Sequence, residues 1–383
     1  MSGSRSDRAR ADLVVVGGGV IGLAVAWRAA RSGRRVTVVD PAAGEAASSV
    51  AAGMLAPVAE SSFGEEPLLR LNLLAAARFP AFAAELEAAA GAGVGVRREG
   101  TLSVAHDVGD RAVLARMAGL RRSYGLVADE LDAAACRRLE PFLSADVQGG
   151  VLSVGDWSVD NRRYLAALRT AATGAGVAVV TGRAARIDVA RGHVGGVTLA
   201  DGAVLRAPAV VIAAGAWSST IEGVPPGLRV RPVKGQLLRL RLPADLPPVL
   251  ERTVRGTVRG GDVYLVPRAD GEVVVGATSE ERGFDRTVTA GAVHDLLRDA
   301  TALVPVLGEL RLAETCAGLR PGTADNGPVV GGTDVDGLVV ATGHYRNGVL
   351  LSAATADAVA ALLDGGPPAP EWAPFAGLAQ VRR

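Results

Sequence analysis

The sequence is poor in cysteine, lysine and histidine: two cysteines and four histidines in 383 residues, with Lys234 the lone lysine. Cys136 and Cys316 are too few for a disulfide framework, and no Cys/His spacing suits zinc, so no metal site is expected. A reducing cytoplasm is the natural setting. The basic residues are almost all arginine, and with the heavy Ala and Gly content this reads as a genome bias rather than a function. Formal net charge is +1, without the basic surplus of a dedicated nucleic-acid binder. No apolar run approaches the roughly 20 residues that span a bilayer. Met1 to Ala11 is polar and basic, lacks the apolar core of a signal peptide, and reads as a disordered tail.

What is present points to a packed protein. Hydrophobic residues make up 49% and charged residues 21%, and the length fits about two domains. Leu13–Val16 is a β-branched run of strand length. Gly17-Gly18-Gly19-Val20-Ile21-Gly22 follows, then an Ala-rich helix over 23–32 and a strand over 35–39 ending at Asp40. This βαβ unit calls for a parallel sheet. Residues 46–57 are small and loop-like. Helices are predicted over 68–90, 108–124, 164–174, 291–304 and 349–363, and strands over 101–106, 177–181, 194–199, 210–214, 235–242, 263–267, 272–277 and 338–342. The βαβ signals sit at both ends of the chain, with antiparallel signals between them. The fold class is therefore α/β: a Rossmann-like domain built from separated segments (1–90, 151–222 and 316–383) with an inserted, mostly antiparallel α+β substrate domain (91–150 and 223–315).

Four stretches carry chemistry. Gly17, Gly19 and Gly22 fit G-x-G-x-x-G between strand and helix, with an acid, Asp40, at the end of the next strand. Gly17 permits the tight turn, Gly19 admits a pyrophosphate to the backbone, and Gly22 lets helix and strand pack closely. The helix N-terminus offers N–H groups and a positive dipole end to phosphates. Asp40 suits ribose hydroxyls and repels a 2′-phosphate. The motif alone does not separate FAD from NAD. A second glycine-flanked turn, Gly343-His344-Tyr345-Arg346-Asn347-Gly348, precedes the last helix, whose N-terminus can stabilise negative charge. In Cys316-Ala317-Gly318-Leu319-Arg320-Pro321-Gly322-Thr323, Arg320 stands at a bend, and a guanidinium suits bidentate capture of a carboxylate. Finally, Asp270-Gly271 reads as a two-residue hairpin turn, which sets Tyr264 opposite Ala277 and Asp262 opposite Ser279.

Taken together, VVVGGGVIGLAVA, AAGMLAPVAE, RPVKGQ, VYLVPR, AGLRPGT and GHYRNGVLL resemble the glycine oxidases of thiamine biosynthesis, within the D-amino-acid oxidase superfamily of FAD-dependent amine oxidoreductases. The resemblance implies a glutathione-reductase-like FAD domain under an antiparallel sheet. It implies FAD held without a covalent bond: Gly17, Gly19, Val20, Ile21, Gly22, Asp40 and Pro41 at the ADP half, and Ala47, Ser48, Ala52, Gly53 and Met54 along the middle and the ring. Ala184 would meet the adenine side, and His344, Tyr345, Arg346, Asn347, Gly348, Val349 and Leu350 would pass the pyrimidine edge. Arg320 and Tyr264 would grip a substrate carboxylate beside Arg346, Ser279 and Met54. The family member compared has Met at the position of Ser279, His at Asp262 and Trp at Cys316. A cysteine in roughly this region holds flavin covalently in sarcosine oxidases.

The implied reaction is oxidative deamination of glycine, or of sarcosine or D-alanine, by hydride transfer to flavin N5. It needs no side-chain acid or base and yields an imino acid or glyoxylate, ammonia and hydrogen peroxide, with oxygen as acceptor. A homo-oligomer and a hand-over of the imine to thiazole synthase are compatible with this; nucleic acid and membrane partners are not expected. The alternatives are a sarcosine or D-amino-acid oxidase or dehydrogenase, an NAD-dependent Rossmann enzyme, and a flavin-binding subunit without activity.

Overall fold

Leu13–Val16 is apolar at every position, and such a strand needs cover on both faces. The computed structural model, which describes residues 11–42, 47–243 and 246–376, supplies it. The strand lies between Ala209–Ile212 and Val36–Asp40, parallel to both, in a six-stranded sheet. Leu338–Thr342 and Ala178–Thr181 extend this sheet in parallel, and Val329–Gly332 closes one edge antiparallel. Successive side chains point to opposite faces. Leu13 and Val15 therefore pack under helices, while Val14 and Val16 meet a three-stranded antiparallel sheet, Ala184–Ala190, His193–Leu199 and Val204–Arg206.

The covering helices are Val20–Arg31, Glu66–Ala90, Asn161–Gly174 and Gly348–Leu363. The first and last pack together through small side chains. Trp27 meets Phe82 edge-on at 5.2 Å. The buried Tyr164 hydroxyl is satisfied by Ser352 Oγ at 2.7 Å.

An eight-stranded sheet stands over this body. Its order is Arg311–Gly322, Arg231–Arg241, Glu272–Gly276, Gly261–Pro267, Thr253–Val258, Thr101–Ala105, Gly149–Ser153 and Asp129–Asp132. All neighbours are antiparallel except Thr253–Val258 with Thr101–Ala105. Helix Ala290–Leu303 buries its apolar stripe on one face. On the other face Leu237, Val266 and Val274 pack against Val50, Ala52 and Met54.

Four expectations need correction. Tyr264 pairs with Gly276, not Ala277, so the register that set Asp262 opposite Ser279 is off by one residue. The turn is one residue longer than a two-residue hairpin: Arg268 N–H donates to Glu272 O at 2.7 Å and Gly271 takes a φ of +81°. A three-residue loop ending in a left-handed glycine produces that shift. Arg320 is not at a bend. It lies inside strand Arg311–Gly322, paired with Val233, and Pro321 is tolerated because that strand is at the sheet's edge. Ala11, assigned to the tail, is buried; residues 1–10 lie outside the described residues. Lastly, the segment boundaries at 150/151 and 315/316 cut through Gly149–Ser153 and Arg311–Gly322, which pair along their length in the eight-stranded sheet. We propose that the division falls after Ser153 and after Gly322.

Candidate active site

Between the two large sheets lies a cavity of about 1030 Å³. That is room for a dinucleotide and a small substrate, far more than an amino acid needs. Its wall is assembled from separated segments: the glycine turn, Asp40 and Pro41, Ala47–Met54 apart from Ser49, Arg183–Ala185, the face of the eight-stranded sheet, and His344–Val349 apart from Asn347.

The glycine turn is built as its spacing predicts. A Cβ on Gly17, at φ +113°, would collide with the Ala213 carbonyl, and one on Gly22 with the Gly17 carbonyl. Gly22 does not line the cavity; it serves the close packing of helix on strand. Asp40 Oδ2 accepts from Gly18 N–H at 2.6 Å and Oδ1 from Ala42 N–H at 2.9 Å. Ser48 Oγ accepts from Val20 N–H at 3.1 Å, which joins the 47–54 segment to the helix N-terminus. The helix's first turn holds no acid, and Gly19, Val20 and Ile21 at its N-terminus line the cavity, with the Asp40 carboxylate on Gly18 N–H just before them. These features fit a dinucleotide's phosphates. Ala184 also lines the wall.

The second glycine-flanked turn is latched to the sheet. Tyr345 N–H donates to Pro321 O at 3.1 Å, beside Arg320, and Tyr345 adopts a φ of +45°. His344 is 2% exposed, and its Nε2 meets Thr355 Oγ1 at 2.9 Å. Burial pushes its pKa down to about 3, so the ring is neutral. Its side chain anchors the turn. Asn347 and Leu350, expected at the cofactor, do not line the cavity: Asn347 precedes the last helix, and Leu350 is core. Cys316 does not line it either, and burial raises its thiol above the usual value.

On the sheet face, two glycines make room for two large side chains. A Cβ on Gly235 would run into the Arg320 guanidinium, and one on Gly276 into the Tyr264 ring. Arg320 Nη1 donates to Thr278 O at 3.0 Å. Among the described residues no carboxylate pairs with Arg320. Burial raises the Tyr264 phenol, with the Arg320 charge opposing, so it stays protonated and able to donate. Arg346 stacks on Tyr345 at 5.0 Å. Burial would raise the Tyr345 phenol, but Ser279, Arg346 and Arg320 together hold it below its usual value. Ser279, Asp262 and Met54 complete this end.

Sequence reasoning missed the Glu60–Arg255 ion pair at 3.1 Å, which lines the same wall. Arg255 is directly opposite Tyr264 on the adjacent strand. Correct hairpin registers would have found it; Glu60 closes the AAGMLAPVAE stretch but carries no signal of its own.

A family model described as FAD dependent oxidoreductase (DAO) matches residues 12–362. A glycine oxidase of Geobacillus kaustophilus is 36% identical over 370 residues, covering 96% of each chain. The bifunctional protein ThiO/ThiG of Synechocystis is 36% identical over 92% of this chain, but the chain spans only 51% of that relative. Among solved structures, the crystal structure of glycine oxidase from Geobacillus kaustophilus superimposes with a TM-score of 0.89 at 34% identity, covering 97% of this chain and 99% of that one.

Proposed function

The chain belongs to the FAD-dependent oxidoreductase family, and from that premise we propose that it is a glycine oxidase, deaminating glycine and small amines such as sarcosine or D-alanine. The observation that carries the reading is Arg320: a guanidinium with no acidic partner among the described residues, seated on Gly235 beside a protonated Tyr264, at one end of a dinucleotide-sized cavity. The ADP half of FAD is held by Gly17, Gly19, Val20, Ile21, Asp40 and Pro41, with Ala184 at the adenine. The flavin is received by Ala47, Ser48, Ala52, Gly53, Met54 and the turn from His344 to Val349. It is bound without a covalent link, since Cys316 is off the wall.

When bound, FAD supplies the two-electron acceptor for the amine's α-C–H and passes the electrons on to oxygen. The chain supplies position and charge. Arg320 and Tyr264 bind the carboxylate and orient the α-carbon, which removes most of the entropic cost of the encounter. Arg346, Ser279 and Met54 close the space around the amine. No side-chain base is needed: His344 is neutral, buried and engaged with Thr355. The imine product hydrolyses to glyoxylate and ammonia, or passes to thiazole synthesis. The ThiO/ThiG relatives, whose name joins two proteins in one chain, support that second route.

Anaerobic titration with glycine, followed at visible wavelengths, tests the proposal. The flavin should bleach and recover in air with one peroxide per turnover. Arg320→Ala should retain flavin and raise KM for glycine by roughly 100-fold, the cost of removing one partner of a buried charged contact. A flavin that glycine cannot bleach, or an unchanged KM in the variant, would sink it.

A further inference from the structure

Ala47–Leu55 forms much of the cavity wall but has little regular structure of its own: one helical turn, Ala47–Val50, and a two-residue strand, Met54–Leu55, paired with Trp157–Ser158. Such a segment must be fixed by something else. Three of its carbonyls are taken by side chains. Asn161 Nδ2 donates to Ser48 O at 2.8 Å, Arg162 Nε to Ser49 O at 3.2 Å, and Arg268 Nη2 to Ala52 O at 2.6 Å. Arg268 also donates through Nη1 to Val159 O at 2.9 Å and through Nη2 to Asn161 Oδ1 at 3.3 Å. Gly53, at φ +73°, lies so close to the Val159 carbonyl that a Cβ would collide with it, and Val159 N–H donates back to Gly53 O at 2.8 Å. Arg268 thus grips both chains where they cross.

Arg268 comes from the far side of this junction, just after strand Gly261–Pro267 of the eight-stranded sheet. It is 6% exposed, and its acceptors are two backbone carbonyls and an amide oxygen, none of them a carboxylate. Its Nε has no hydrogen-bond partner among the described residues. A buried guanidinium held by neutral acceptors is costly and would not persist as mere packing. None of the three donors lines the cavity, so the carbonyls they hold are committed away from it.

We propose that Arg268, with Asn161 and Arg162, is a positioning residue for the cofactor, holding the Ala47–Met54 wall in the shape that receives the flavin. The inference rests on the FAD of this family and not on which amine is oxidised, so it stands or falls without substrate. The test compares the purified holoenzyme with Arg268→Lys, Asn161→Ala and Arg162→Gln. Flavin release is read as the rise in flavin fluorescence at constant temperature, and unfolding as the loss of far-ultraviolet circular dichroism. Arg268→Lys and Asn161→Ala should each release flavin at least about tenfold faster than the parent while the chain remains folded, as expected for loss of a hydrogen bond from a charged or buried donor. Release in step with unfolding, or at the parental rate, would reduce these residues to fold stability and overturn the proposal. Should neither variant fold, Arg162→Gln decides: its side chain is about half exposed and its loss should speed release by about threefold, and an unchanged rate overturns the proposal.

Discussion

Gly235 shows how much of the site depends on an absent side chain. It stands in mid-strand with no positive φ, so alanine there carries no backbone strain and suits a strand about as well. The nearest atoms to the added methyl are those of the Arg320 guanidinium. Gly235→Ala should therefore leave the fold and the flavin in place and lower kcat/KM for glycine by about tenfold, corresponding to about 1.4 kcal/mol of lost carboxylate binding. Steady-state kinetics beside a melting curve check it; a variant as active as the parent would mean that Arg320 does not need its seat. Gly276 plays the same part under Tyr264.

At the scale of elements, the last helix and the turn before it depend on a histidine that carries no charge. The unfolded imidazole gains a proton near its usual pKa of about 6.5, whereas the buried His344 ring resists until about 3. Below the higher value, unfolding binds a proton, so this group's contribution is intact above pH ~6.5 and falls by about 1.4 kcal/mol per pH unit toward acid. His344→Gln keeps a hydrogen-bonding partner for Thr355 and cannot titrate. Its denaturation free energy should fall less steeply than the parent's between pH 6.5 and 4.5, and superimposable slopes would refute the assignment. The strand-and-turn unit carrying Arg320 is coupled to the same turn through Tyr345 N–H and Pro321 O. The helix N-terminus and the Arg320 strand are thereby kept together.

At the scale of the molecule, the cavity is shared by the parallel and the antiparallel sheets. A ligand filling it touches both and stabilises both at once. FAD at a hundred times its dissociation constant should add about 2.7 kcal/mol and raise the melting temperature of the stripped protein by about 3 °C. Amide hydrogen exchange should slow in Ala47–Leu55 and in Arg231–Arg241 together. Protection confined to the parallel sheet would show that the second sheet is not coupled to the cofactor.

The sequence by itself determined the parts that rest on local chemistry. The glycine turn, the buried strand before it, Asp40 and the helices were legible because sterics and periodicity act over a few residues, and GHYRNG and AGLRPGT marked the second turn and the arginine strand. The tertiary structure decided what depends on register and on neighbours distant in the chain. Gly271's left-handed φ moved Tyr264 onto Gly276; pairing with Val233 put Arg320 in a strand despite Pro321; burial against the sheet made His344 an anchor. The Glu60–Arg255 pair and the Arg268–Ala52 contact join residues 195 and 216 positions apart. No spacing rule spans such distances, because only the closing of one sheet over the other brings those groups within reach.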